Sequence, residues 1–232
     1  MIDVSDAVFK YSVLSVEELL GRPLNRYEKK YAPQTLYVCG GISLPLKIPR
    51  VAVVGTRVPS LSAAEYTREL VKALVKNEVA VVSGLARGID TIAHRSAIES
   101  GGKTVAVLGT PLTRFYPPEN RELQLKIMQQ HLAVSQFPPA HRTKPRDFVM
   151  RNRTMALISD ASVIVEAGET SGALSQGWEA LRLGRPLFIS PLVLQKGLEW
   201  PEKMIRYGAQ VLHEFGDLFD VVPSYRFELS TL

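Results

Sequence analysis

The stretch SGLARGIDTIAH, Ser83 to His94, follows directly on the short β-branched run Val79 to Val82, and few folds accommodate that order of events. An apolar run of this kind fits a strand buried on both faces, the habit of parallel sheets. Ser83 and Gly84 end the strand, Gly88 permits a conformation or a close approach that a Cβ would resist, and Asp90 is placed to cap a helix from Thr91 to Ser100. A strand ending in a glycine turn at a helix start is a natural place to hold an anion.

The pattern recurs along the chain. VAVV at Val51 to Val54 leads into Gly55, Thr56 and Arg57 and then a helix over about Ser62 to Asn77, with Tyr66, Leu70 and Leu74 on one face. TVAVL at Thr104 to Leu108 ends in Gly109 and Thr110. SVIVE at Ser162 to Glu166 precedes the polar turn Gly168 to Gly172 and a helix to about Leu183, and Leu187 to Ile189 closes the series. Between these lie expected helices over Glu119 to Gln130 and Arg151 to Ile158, a short strand at Ala133 to Ser135 and a loop, FPPAHRTKPRDF. The tail offers a helix near Glu199 to Tyr207 and a strand near Gln210 to Leu212. Strands alternating with helices specify an α/β fold with a doubly wound, mostly parallel sheet. Residues 1–48, punctuated by Pro23, Pro33 and Pro45, form an N-terminal extension on the core of residues 49–232, with Leu36 to Cys39 a candidate edge strand or hairpin.

In such a sheet every strand-to-helix turn lies on one edge, and ligands bind where the strand order reverses. Gly55 to Arg57, Ser83 to Arg87, Gly109 to Thr110 and Glu166 to Gly172 should converge there. None of these turns carries GxGxxG or GxxxxGK[ST], which removes most support for a dinucleotide or a P-loop nucleotide. Lys and Arg number 28 against 23 Asp and Glu, a net charge of +5 that favours a polyanionic partner. Lys144, Arg146, Arg151 and Arg153 cluster with Asp147 as their nearby acid, and a row of cations suits a run of phosphates through counterion release. Phe115, Tyr116 and Phe148 interleave with those charges, where bases can stack, and Asn120 and Asn152 add amides for phosphates or base edges.

For catalysis the inventory is thin. Four histidines show no metal spacing, no serine sits in a GxSxG elbow, and the single cysteine, Cys39, is a small core residue that leaves no intramolecular disulfide. His94, four residues after Asp90, is either an acid–base partner or, the preferred reading, a local organiser of the turn. Glu166 stands at a strand end where a general acid or base would belong, and is equally placed to organise turn amides. No catalytic residue, metal or cofactor is assigned. The chain start lacks signal-peptide order and no apolar run approaches ~18 residues, so a cytoplasmic protein without membrane partners is expected.

VAVVGTR, SGLARGIDTIAH, GKTVAVLGTPLTRFYPPEN, RNRTMALISDASVIVEAGETSGAL and GRPLFISP, in that order, resemble the DNA-processing protein DprA family, also called Smf, over about Leu36 to Pro191. The resemblance implies an extended Rossmann-like fold that binds and protects single-stranded DNA, loads RecA during natural transformation and recombination, and acts as a homodimer. Carried onto this chain, its binding turns are Gly55, Thr56 and Arg57; Ser83, Gly84 and Arg87 within the SGxARGID turn; Tyr116, Pro117 and Asn120; Arg151, Asn152 and Arg153; and Ser171 and Gly172; Gly109, Arg121, Lys144, Arg146 and Phe148 join them as expected binding residues at the same edge. Departures lie at SGALSQGWEA, where Gln176, Trp178 and Glu179 replace small and apolar positions, and in the reduced N-terminal helical and absent winged-helix regions expected of this chain. The alternative is a small-nucleotide sensor or an enzyme like the LOG phosphoribohydrolases, but their PGGxGTxxE turn reads EAGETSGALSQGWE here.

Overall fold

A computed structural model describes residues 10–222. Among these residues nine strands form one sheet in the order β1-β2-β6-β5-β4-β3-β7-β8-β9. The parallel part comprises β3 (Arg50–Val54), β4 (Ala80–Ser83), β5 (Thr104–Leu108), β6 (Leu132–Ser135), β7 (Ala161–Ile164), β8 (Leu187–Ile189) and β9 (Gln210–Val211). The expected α/β class with a mostly parallel sheet is what forms. The segment Leu36 to Cys39 becomes β2 (Leu36–Gly40), antiparallel to β6 on one side and to β1 (Ser12–Leu14) on the other, so it lies one strand in from the edge. The two small helices between β1 and β2, α1 (Val16–Leu20) and α2 (Arg26–Tyr31), each start on a capping box, at Ser15 with Glu18 and at Asn25 with Glu28.

Alternation within the strands sorts the core into two layers. Ala52 and Val54 face a cluster containing Met155, Leu157, Ala173 and Met204, while Val51 and Val53 face one built on Leu70, Leu74, Ile89 and Ala93. The first layer is closed by α6 (Pro145–Ile158), α7 (Gly172–Arg182) and α9 (Glu199–Arg206), with the short α8 (Pro191–Leu194) between the last two in sequence. The second is closed by α3 (Leu61–Lys76), α4 (Ile89–Glu99) and α10 (Asp217–Val221). A third cluster under α5 (Arg121–Gln130) takes in buried Cys39. Among the described residues no helix is long and apolar enough to cross a membrane.

Two local expectations are corrected. The loop FPPAHRTKPRDF ends in helix: Pro145 occupies the first turn of α6, and the Asp147 carboxylate accepts from the Lys144 amide at 2.7 Å and bonds His141 Nε2 at 2.7 Å. Burial works against that charge, but His141 and the Lys144 amide outweigh it and hold Asp147 below the usual carboxylate range. Asp90 is not the cap of α4. Gly88 holds that position at φ +73°, and Asp90 instead reaches back across the turn to accept from the amides of Gly84 (3.1 Å) and Ala86 (3.3 Å).

Candidate nucleic-acid interface

Chain order departs from β3 in two directions, through β4, β5 and β6 on one side and through β7, β8 and β9 on the other. The carboxyl ends of β3 and β7 therefore bound the crevice where an open α/β sheet binds ligands. The two turns that leave these ends are fastened to each other and to α4: the Thr56 amide donates to Glu166 O at 2.6 Å, and the Ile89 amide donates to Thr56 O at 3.1 Å. A Cβ on Gly88 would strike the backbone of Thr56 and Arg57, so glycine is what lets α4 approach this turn. Above them opens a cleft of about 800 Å³, and a recess of about 320 Å³ adjoins it. The wall common to both is formed by Arg57, Ala86, Tyr116, Phe148 and Arg151.

The residues expected at this edge divide into those that face the space and those that build it. Gly55, Thr56, Arg57, Lys144, Phe148, Arg151, Asn152, Ser171 and Gly172 line the cleft, and Gly84, Arg87 and Gly109 line the recess. The Phe148 ring lies 5.2 Å from that of half-exposed Tyr116, and a Cβ on Gly109 would run into Phe148. Ser83 is fully buried and donates to Val53 O at 2.7 Å, so its hydroxyl ties β4 to β3 and does not reach a ligand. Asn120 is also buried; its amide donates to Leu85 O (3.0 Å) and Thr91 Oγ1 (2.8 Å). It braces Leu85, a non-glycine residue held at φ +58°, and is a support for the turn in place of the base or phosphate contact expected of it.

Other expected contacts point elsewhere. Arg153 turns to the far side of α6, where it bonds Glu179 at 3.3 and 3.4 Å and lies 5.1 Å from the Tyr31 ring. Arg87, although it lines the recess, is engaged in an ion pair with Glu119, and Arg121 packs over Phe115 at 5.1 Å. Arg146 is exposed beside the cleft without lining it. Conversely, Arg114 lines the cleft although the sequence reading passed over it; it sits inside TPLTRFYPPEN, and its position as a cation within a turn after β5 was the available signal.

Arg151 organises the floor. Its side chain is buried, donating from Nη1 to Gly84 O and, at 2.9 Å, to Val107 O, and from Nε to Asn152 Oδ1 at 2.9 Å. Asn152 in turn donates to Gly172 O at 3.1 Å, linking α6 to the start of α7. A Cβ on Gly84 would overlap the Arg151 guanidinium. Burial pushes the Asp90 carboxyl up, and Arg151 and the Ala86 and Gly84 amides oppose it; the same burial pulls Arg151 down. Among the described residues Asp90 is the one acid lining the cleft, against Arg57, Arg114, Lys144 and Arg151. Glu166, at the end of the β7 run, accepts from the Ser60 amide at 2.8 Å and pairs with Lys196, which outweigh burial and keep it ionised below its ordinary value.

His94 lies beneath this floor, fully buried, with Nδ1 2.7 Å from Thr104 Oγ1. The Thr104 hydroxyl donates to Val81 O at 2.8 Å, so its oxygen accepts from Nδ1–H, and burial is what keeps the imidazole neutral. Burial lowers its pKa from 6.5 to about 3. The unfolded chain protonates this ring at its ordinary value and the folded chain resists. Stability is therefore whole above pH 6.5 and is lost progressively towards pH 3, at roughly 1.4 kcal/mol per pH unit from this residue. Denaturant unfolding of a His94→Gln variant should show a shallower loss over that window than the parent; equal slopes would contradict the assignment.

The family model for DNA recombination-mediator protein A matches residues 20–223. The chain is 38% identical over 192 residues to the DNA processing protein DprA of Streptococcus pneumoniae, covering 79% of this chain and 67% of that one. It spans 65% of the Bacillus subtilis DprA and 36% of the Synechocystis Smf that it also matches. Among solved structures, S. pneumoniae DprA superposes with a TM-score of 0.79 at 34% identity, over 93% of this chain and 75% of that chain. The Helicobacter pylori DNA processing protein A, described for its unique single-stranded DNA binding mode, superposes with a TM-score of 0.76 at 28% identity, over 92% and 95%.

Proposed function

Because the chain belongs to the DNA recombination-mediator protein A family, we propose that it binds single-stranded DNA along the cleft at the ends of β3 and β7. On this reading it protects the strand and, as a cytoplasmic homodimer that sets two such clefts on one strand, supports loading of RecA in DNA uptake or recombination. The observation that carries the reading is the composition of the cleft: Arg57, Arg114, Lys144 and Arg151 around a single acid, Asp90, with Tyr116 and Phe148 on the shared wall. Cations and rings together suit a chain that offers phosphates and unpaired bases at once; a duplex keeps its base faces stacked on each other. The H. pylori relative, of which this chain covers 95%, is a single-stranded DNA binder.

The same geometry favours a binding protein over an enzyme. Of the two candidates for the catalytic glutamate of a LOG-like hydrolase, Glu166 is engaged by Ser60 and Lys196, and Glu179 is buried between Arg153 and Arg182. Fluorescence anisotropy over a salt series tests the reading: single strands should bind more tightly than duplex of equal length, with log affinity falling linearly in log salt. Equal affinity for both forms would sink it. Light scattering tests the dimer separately, a monomer mass at working concentration counting against it. Phe148→Ala should weaken single-strand binding by about 1–3 kcal/mol while leaving the salt slope in place, since a ring contributes stacking and no charge.

A further inference from the structure

Two helices lead out of the cleft. α6 and α7 both start at its wall and run away from it, packed against each other. Helical spacing puts on each a stripe that begins beside or within the cleft lining. On α6, Arg146, Val149 or Met150, and Arg153 recur at steps of three and four; on α7, Ser171, Ser175, Glu179 and Arg182 do the same. Val149, Ser171 and Ser175 line the cleft. Ser171 caps α7 and Arg182 ends it, about 16 Å further along the helix axis.

The two stripes meet the N-terminal extension. Tyr31, the last residue of α2, has Arg153 at 5.1 Å, Lys30 at 5.5 Å and Arg182 at 5.8 Å from its ring centroid. Buried Glu179 takes both arginines, whose side chains are 38% and 46% exposed. One carboxylate neutralises one of two guanidiniums, so the pair is pinned and still leaves a positive charge towards solvent. α2 adds Arg26, Lys29 and Lys30, all exposed, while its own acid, Glu28, is buried against Arg22 and Arg185. Partly exposed Glu17, 3.7 Å from Lys29, offsets one of the three. Fastening α2 to the core accounts for one cation per buried carboxylate and leaves the rest without a structural task.

A row of phosphates matches that excess through counterion release. Continuity with the cleft selects the kind of polyanion, because the stripes start where the strand is held. Exposed Val149, Met150 and Tyr27 stand among the cations, and unpaired base faces can cover them as the outside of a duplex cannot. Resting on the single-strand reading above, we infer that the outer face of α6 and α7, with α2, is an exit track that holds the strand after it leaves the cleft. Arg182 and Lys30 contact its phosphates beside Tyr31.

Anisotropy with single strands of about four and about sixteen nucleotides separates cleft from track. An Arg182→Gln, Lys30→Gln double variant keeps Arg153 on buried Glu179 and changes no residue that lines the cleft. It should bind the short strand as the parent does. The long strand should bind roughly 25-fold more weakly near 0.1 M salt, with the slope of log affinity against log salt reduced by about 1.4. Parental affinity and slope on the long strand overturn the inference, and so does an equal loss on both strands. If Arg57→Ala weakens both strands and the double variant weakens neither, the cleft reading stands and only the track falls. If the parent binds neither strand, the cleft reading falls and this inference with it.

Discussion

An Arg57→Ala, Lys144→Ala double variant is expected to bind single-stranded DNA at least an order of magnitude more weakly than the parent near 0.1 M salt. Both side chains are exposed on the rim of the cleft, so neither is needed to hold the fold. Each phosphate contact on a single strand contributes roughly 0.7 to the slope of log affinity against log salt, which is about fivefold in affinity per contact at 0.1 M. The two losses should multiply, because the residues come from separate elements, the turn after β3 and the start of α6. The slope should fall by about 1.4 in total, and the effect should not depend on base composition. Anisotropy across a salt series reads both quantities. A double variant with the parent's slope would place the strand somewhere other than this cleft.

Replacing Arg151 should act on the fold more than on the ligand. Arg151→Met leaves Gly84 O and Val107 O without their donor and removes the cation that opposes the cost of burying Asp90. Breaking a buried charge network by deleting one partner costs about 3–5 kcal/mol, and that is the loss expected in denaturant unfolding. Gly84→Ala should be comparably harmful, since its Cβ would meet the guanidinium. The two should not add. In the Arg151→Met background the flexible thioether gives way, and the Gly84→Ala penalty should shrink to a fraction of its value alone. Strict additivity would mean that glycine is required at position 84 for some other reason.

Much of the scaffold was legible because burial on both faces leaves a plain trace. Val51 to Val54, Thr104 to Leu108 and Leu187 to Ile189 are apolar runs that end in small or polar turns, and all three are parallel strands paired on both sides. β1 left no such trace: Ser12 and Val13 are exposed, and besides its pairing with β2 the strand offers the core only half-buried Leu14. At the site, sequence position identified which turns meet at the sheet edge but not which way each side chain faces. The RNR run makes the point. With α6 starting at Pro145, successive residues are turned by about 100°, so Arg151 enters the floor, Asn152 reaches α7 and Arg153 leaves for Glu179. A helix begun at Arg151 hid that division. Asn120 turned inward for a related reason: a tight turn containing Leu85 at positive φ has backbone groups to satisfy before it has side chains to offer, whereas the Ser83 hydroxyl is taken up by Val53 O of the neighbouring strand.

The fastening of the turn after β3 to the end of the β7 run has a thermodynamic consequence. Val51 to Val54 pair in register with Ala161 to Ile164, and the Thr56 amide continues the ladder to Glu166 O. The two sides of the cleft are thus adjacent rungs of one sheet and have no hinge between them. A strand entering the cleft meets a surface that is already ordered, so the conformational entropy lost on association is lost mainly by the nucleic acid. Affinity should then track the stiffness of the strand itself: a sequence that stacks into a helical single strand must first be unstacked, and an unstructured one need not be.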